Sequence, residues 1–165
     1  MSFSPGRTHC RLPGGKLIDK NGKEPKPGDM IEIFRDLYQH WAVYVGNGYV
    51  VHFSIEGGQS GSGTAAGKKG SVRKGLLKDA GKWKVNNYLD EEYEPRPSDE
   101  IVKKACSLVG SNLTYSLGSY NCEHFATEQR YGRPESRQAE NLKAGIEQLS
   151  NSSHHWSFNH RRIRE

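Results

Sequence analysis

The stretch "HWAVYVGNGYVVHF", residues 40–53, narrows the possible folds more than any other part of the chain. Two runs of β-branched and aromatic residues, Trp41–Val45 and Tyr49–Phe53, flank "GNG", the pattern of an antiparallel hairpin with a tight turn. Loop length then decides which side chains share a face. A two-residue loop, Asn47-Gly48, sets Val43 opposite His52 and puts His40 and His52 on different faces. A three-residue loop, Gly46-Asn47-Gly48, sets Ala42 opposite His52 and puts both histidines on one face. Glycine where φ must be positive suits the longer loop.

Around the hairpin the reading is coarser. Residues 1–25 hold Pro5, Pro13 and Pro25 among several glycines and read as an irregular arm. A first strand is expected over Met30–Phe34, opened by the turn "PGD". Residues 56–75, "EGGQSGSGTAAGKKGSVRKG", have too little apolar area to offset their ordering entropy, so a mobile loop is expected. "KWKVNNYL" reads as another strand. Residues 99–109 carry the apolar stripe Ile101, Val102, Ala105, Cys106, Val109 of a helix. "LTYSL" is a short link or strand. A second helix is expected over 122–131, with Asn121 as its N-cap and Gly132 just past its end. Residues 26–134 thus form the expected domain, and 135–165 a polar, largely disordered tail, although "ESRQAENLKAGIEQL" has a thin helical pattern.

Mean hydropathy is −0.84 and the apolar fraction 33%, so polar stretches must lie outside a modest core. The net charge of +5 favours anionic surfaces, but no basic-aromatic motif marks a nucleic-acid binder. No run approaches the roughly 20 apolar residues of a membrane span, and no signal-peptide core follows Met1. Three cysteines cannot all pair within the chain, so free thiols and a cytoplasmic, reducing setting are expected.

The three differ in position. Cys106 lies on the buried stripe of its helix and reads as packing. Cys10 sits in the irregular arm beside His9. Cys122 falls in the first turn of a helix, where the positive end of the helix dipole favours thiolate and lowers the pKa. It reads either as a small core residue or as a nucleophile. A nucleophile needs a base within hydrogen-bond reach and a third group to orient that base. His40 and His52 supply both if they share a sheet face, since diagonal cross-strand positions are only about 7–8 Å apart. Taken singly, each histidine reads equally as a satisfied structural residue. His124, two residues past the cysteine, turns away from it. The His and Cys spacing matches no common zinc pattern, and no metal is expected.

"PGDMIEIFRDLYQHWAVYVGNGYVVHF" and "NCEHFATEQRYG" resemble the two signature blocks of the lecithin:retinol acyltransferase-like proteins. The nearest branch is that of the phospholipase A and acyltransferase enzymes, or H-Ras-like suppressors. The resemblance runs from about Lys26 to Gly132. It implies an α+β, circularly permuted papain-like (NlpC-type) domain, with an antiparallel sheet packed against the helix that carries the nucleophile. It further implies Cys122 as nucleophile, His40 as base and His52 as the group that orients the base. Arg35 and Tyr38 match family positions and are candidates for oxyanion or substrate contact. The implied activity transfers acyl chains from glycerophospholipids to water, lysophospholipid or the amine of phosphatidylethanolamine, without calcium or any cofactor. The polar tail departs from relatives that carry a hydrophobic C-terminal anchor, so membrane contact is expected to be peripheral and electrostatic. Two rival readings stand beside this one: a papain-like peptidase or amidase, and a non-catalytic module that binds membranes or proteins.

Overall fold

The hairpin is the centre of the fold, and its register decides what faces what. The structure, a computed structural model, describes residues 16–36, 38–55, 68–117 and 119–145. Six strands make one antiparallel sheet: β1 (Met30–Phe34), β2 (Gln39–Gly46), β3 (Tyr49–Ile55), β4 (Lys68–Leu76), β5 (Trp83–Val85) and β6 (Asn112–Tyr115). Their order across the sheet is β5-β1-β2-β3-β4-β6. Helix α1 spans Ser98–Ser107, α2 spans Cys122–Tyr131, and residues 137–145 are helical and called α3. The class is α+β, as expected, and no described helix is long and apolar enough to cross a membrane.

Ala42 pairs with His52, the register assigned to the longer hairpin loop. The route to it is different. Gly46 pairs with Tyr49, so the turn itself is the two-residue Asn47-Gly48, and a bulge between Tyr44 and Gly46 absorbs one residue. Asn47 (φ 55°) and Gly48 (φ 85°) both take the left-handed conformation that such a turn requires. The Gly48 N–H also donates to the Tyr44 hydroxyl at 2.9 Å.

Strict alternation gives the sheet two unlike faces. Met30, Trp41, Val43, Val51, Phe53 and Val72 pack against Ile101 and Ala105 of α1 and Phe125 and Ala126 of α2. Ile31, Ile33, Ala42, Tyr44 and Val50 point the other way, beside Trp83 and Val85 of β5, and pack with Leu77 and Leu17.

Two expectations need correction. Residues 68–75, placed in a mobile loop, belong to β4, an interior strand bonded to both β3 and β6. Its composition is poor for a strand, but pairing on both sides satisfies the backbone, and the Phe53 ring fills the space over Gly70. A Cβ there would lie 2.7 Å from that ring. Residues 56–67 of the same stretch, residues 1–15 with His9 and Cys10, and residues 146–165 lie outside the described residues.

The second correction concerns 135–145, assigned to the tail. Ser136 and Ala139 are buried, and the Glu123 carboxylate accepts from the N–H groups of Arg137 and Gln138 at 3.0 and 3.3 Å. Glu123 thus caps α3, and its buried charge is met by Tyr88 (2.6 Å) and Ser136 (2.8 Å) hydroxyls. Elsewhere the expected elements are shorter: "KWKVNNYL" is a strand only over Trp83–Val85, and β6 occupies the "LTYSL" region.

Candidate active site

Beyond Ala42 and His52 the two central strands part. Toward its start β2 continues to Gln39 against β1 alone, and β3 continues to Ile55 against β4 alone. His40 and His52 project from the same face at this fork. His40 Nε2 and His52 Nδ1 are 2.9 Å apart, with the rings edge to face at 84°. His40 is buried, and its other nitrogen, Nδ1, has no hydrogen-bond partner. An orphaned buried ring nitrogen marks a place where a further group can be met.

Helix α2 begins beside the same fork. Asn121 caps it as the sequence predicts, accepting from Glu123 N–H (2.9 Å) and His124 N–H (3.2 Å), while His124 Nδ1 accepts from the Asn121 N–H (3.0 Å). Gly132, at φ 76°, closes the other end. His124 is therefore structural, as its turned-away position implies. Cys122 is the first helical residue and is buried. Its thiol lies against the Tyr115 hydroxyl and the backbone N–H of Trp41, the residue that follows His40. Among the described residues, no hydrogen bond joins the thiol to either imidazole. Cysteine and histidine pair meet at one fork without touching in this conformation.

Electrostatics reverses one expectation. A cysteine at a helix start predicts a lowered pKa, but burial pushes the Cys122 thiol up, and the Tyr115 hydroxyl and the N–H groups of Trp41 and Glu123 offset this only in part. The histidines move down. Burial, then the neighbouring charges of His52 and Arg35, bring His40 to about 3. Burial, then Arg73 and Arg35, bring His52 to about 4. At neutral pH the resting site is an uncharged thiol beside two uncharged rings.

The remaining predicted residues sit at the rim. Arg35 and Tyr38 close the β1–β2 turn, where the Arg35 N–H donates to the Tyr38 carbonyl at 3.0 Å. The Arg35 guanidinium is exposed, donates to the Ala80 carbonyl at 3.3 Å and reaches both imidazoles electrostatically. Tyr38 is half-buried and within electrostatic range of Tyr115. Three participants escape a reading of the sequence. Tyr115 accepts from the Cys122 N–H at 3.3 Å, across a seven-residue step that no local pattern announces. Arg73 stands directly opposite His52, on a strand that composition disguises as a loop. Gln138 donates to the Gln39 carbonyl (3.4 Å) and to Glu123 (3.3 Å), tying the residue before His40 to the residue after Cys122. Cys106, by contrast, is half-buried against the core, as its place on the helix stripe implies.

Residues 23–135, which hold all five predicted site residues, match the family model for Lecithin retinol acyltransferase. The chain is 50% identical over 125 residues to Phospholipase A and acyltransferase 3 of Mus musculus, covering 70% of this chain and 76% of that protein. Identity to Phospholipase A and acyltransferase 2 of Homo sapiens is 47% over 122 residues (69% and 75%). Phospholipase A and acyltransferase 4 of Homo sapiens matches at 42% over 132 residues (75% and 80%). The matched residues span the whole sheet and the helix that begins at Cys122: the chain belongs to the lecithin retinol acyltransferase family.

Proposed function

We propose that the protein is a calcium-independent, cysteine-dependent phospholipase A and acyltransferase that works at membrane surfaces. The single observation that carries this reading is the 2.9 Å contact between His40 and His52, which leaves His40 Nδ1 buried and unpartnered at the fork where the Cys122 helix begins. The names of the relatives supply the substrate class. The order of parts, strands with histidines first and the cysteine helix after them, is the one a circularly permuted papain-like domain would have.

The proposed reaction starts from neutral groups. His40 carries its proton on Nε2, donates it as a hydrogen bond to His52 Nδ1, and leaves Nδ1 free to act as base. Rotation of the Cys122 side chain brings Sγ to Nδ1, which takes the thiol proton as sulfur attacks the sn-1 or sn-2 ester carbonyl. The tetrahedral oxyanion draws on donors at the helix start. The Cys122 N–H is one, once it gives up its long contact to Tyr115, and the Tyr115 and Tyr38 hydroxyls and Arg35 are others. Collapse breaks the ester C–O bond, and His40 returns its proton to the departing lysophospholipid oxygen, leaving an acyl thioester on Cys122. Water, lysophospholipid or the amine of phosphatidylethanolamine then attacks that thioester and regenerates the thiol. Because His52 is a neutral acceptor, it stabilises the His40 imidazolium less than a carboxylate would, and the proton is readily passed on.

The test uses labelled phosphatidylcholine vesicles with a chelator present, with and without phosphatidylethanolamine, beside Cys122→Ala. Fatty acid and N-acylated product are expected from the wild type and from the variant neither. Release that persists in Cys122→Ala, or cleavage of peptides with no release from lipid, would overturn the reading.

A further inference from the structure

Two guanidinium groups approach the histidine pair from different elements, and among the described residues neither has an anionic partner. Arg73 on β4 is paired in register with His52 on β3, so the two side chains stand on the same face as cross-strand neighbours. Arg73 is exposed, and its one hydrogen bond among the described residues is from Nε to the Ser71 hydroxyl at 3.1 Å, which leaves both terminal nitrogens with their donors unused. Arg35, from the β1–β2 turn, uses one nitrogen on the Ala80 carbonyl. Among the described residues, no carboxylate forms an ion pair with either.

This arrangement is unfavourable for the proposed chemistry as it stands. The base must become a cation during the reaction, and nearby cations oppose that charge: burial does most to keep both rings neutral, Arg35 adds to it at both and Arg73 at His52. An anion bound between the guanidiniums removes the conflict. The same half of the sheet face is polar, with Ser54 and Ser71 beside His52 and Arg73, whereas the other half is filled by Ile31, Ile33, Ala42 and Val50.

We propose that Arg73 and Arg35 form an anion subsite that holds the phosphodiester of the lipid substrate beside the histidine pair. The inference rests on the phospholipid reading above and adds to it how the substrate class is recognised. A guanidinium fork suits two phosphate oxygens, and the phosphodiester is common to every glycerophospholipid whatever its headgroup. Binding it neutralises the rim, so the substrate itself raises the basicity of His40 as it arrives.

Two measurements on the full chain decide the matter. In Arg73→Gln, the ratio of kcat/KM for a short-chain phosphatidylcholine to kcat/KM for p-nitrophenyl butyrate, an ester without phosphate, is expected to fall about tenfold, chiefly through KM. Arg73→Lys should restore part of the ratio, because charge returns without the fork. An unchanged ratio, or equal losses on both esters, would overturn the subsite. The second measurement needs no turnover: Cys122→Ser protein is titrated with glycerophosphocholine and separately with inorganic phosphate while the His52 ring is followed by NMR. Saturable shifts with glycerophosphocholine that vanish on adding Arg73→Gln support the subsite, even if the wild type releases no fatty acid and the phospholipase reading fails. Saturation by inorganic phosphate alone, or by neither, would overturn it.

Discussion

The hairpin of β2 and β3 has two ends made from the same two strands, and they are built in opposite ways. At the closed end Val43 faces Val51 and Tyr44 faces Val50, every one of them buried, above a turn of two left-handed residues. At the open end the pairing stops after Ala42 and His52; Trp41 and Phe53 still turn into the core, but on the other face His40 and His52 lie against each other, with His40 Nδ1 unpartnered and both rings held neutral chiefly by burial. The closed end is core throughout, and the proposed chemistry belongs to the open end. A sheet that kept pairing through Gln39 would leave no backbone N–H of Trp41 turned to the Cys122 thiol and no gap beside His40.

The largest effect that separates the two ends is catalytic. His40→Gln should lower kcat at least about 10³-fold while changing the free energy of unfolding by no more than about 1 kcal/mol, since the lost ring is buried but half unpartnered. Steady-state kinetics beside urea unfolding would check this. Large losses in both would mean that the open end is part of the core. The converse variant, Val51→Ala, removes two methyl groups from a fully buried site on the closed end. It should cost about 2 kcal/mol, or roughly 4–8 °C in Tm, and leave kcat within a few-fold. A collapse of kcat at constant stability would erase the distinction.

A smaller effect sharpens it through pH. The folded histidines protonate near 3 and 4, below the usual 6.5, so the unfolded chain binds protons that the folded chain refuses. Their contribution to stability is complete above about pH 6.5 and is lost as pH falls toward 4 and then 3. Urea midpoints measured across this window should fall for the wild type and fall less steeply for the double variant His40→Gln with His52→Gln. Parallel curves would mean that the pair is not held neutral by the fold.

How much of this was legible in the sequence follows the same division. The closed end was readable because alternation and "GNG" are local signals, and the shared face of His40 and His52 followed from them. The bulge that delivers the register was not, since Val45 and Gly46 carry no mark distinguishing a longer loop from a shorter one plus a bulge. Cys122 and its cap were readable from "NCEHF", but the direction of the thiol's shift was not, because burial is a tertiary property and outweighs the local helix dipole here. β4 was missed, and the docking of α3 with it, for one reason: their own apolar content is small, and their order comes from partners, Phe53 over Gly70 and Glu123 under Arg137 and Gln138. Arg73 disappeared from view with β4, and Tyr115 meets Cys122 only through the fold.

The central claim is that one sulfur and two imidazoles work as a unit at the fork. Its most direct measurement is intact-mass and peptide mass spectrometry of the protein quenched in acid during turnover of phosphatidylcholine. An acyl group should appear on the peptide containing Cys122, be released by hydroxylamine, and fail to accumulate in His40→Gln. Continued fatty-acid release with the acyl group on another residue, or with none on the Cys122 peptide under any quench time, would contradict the account.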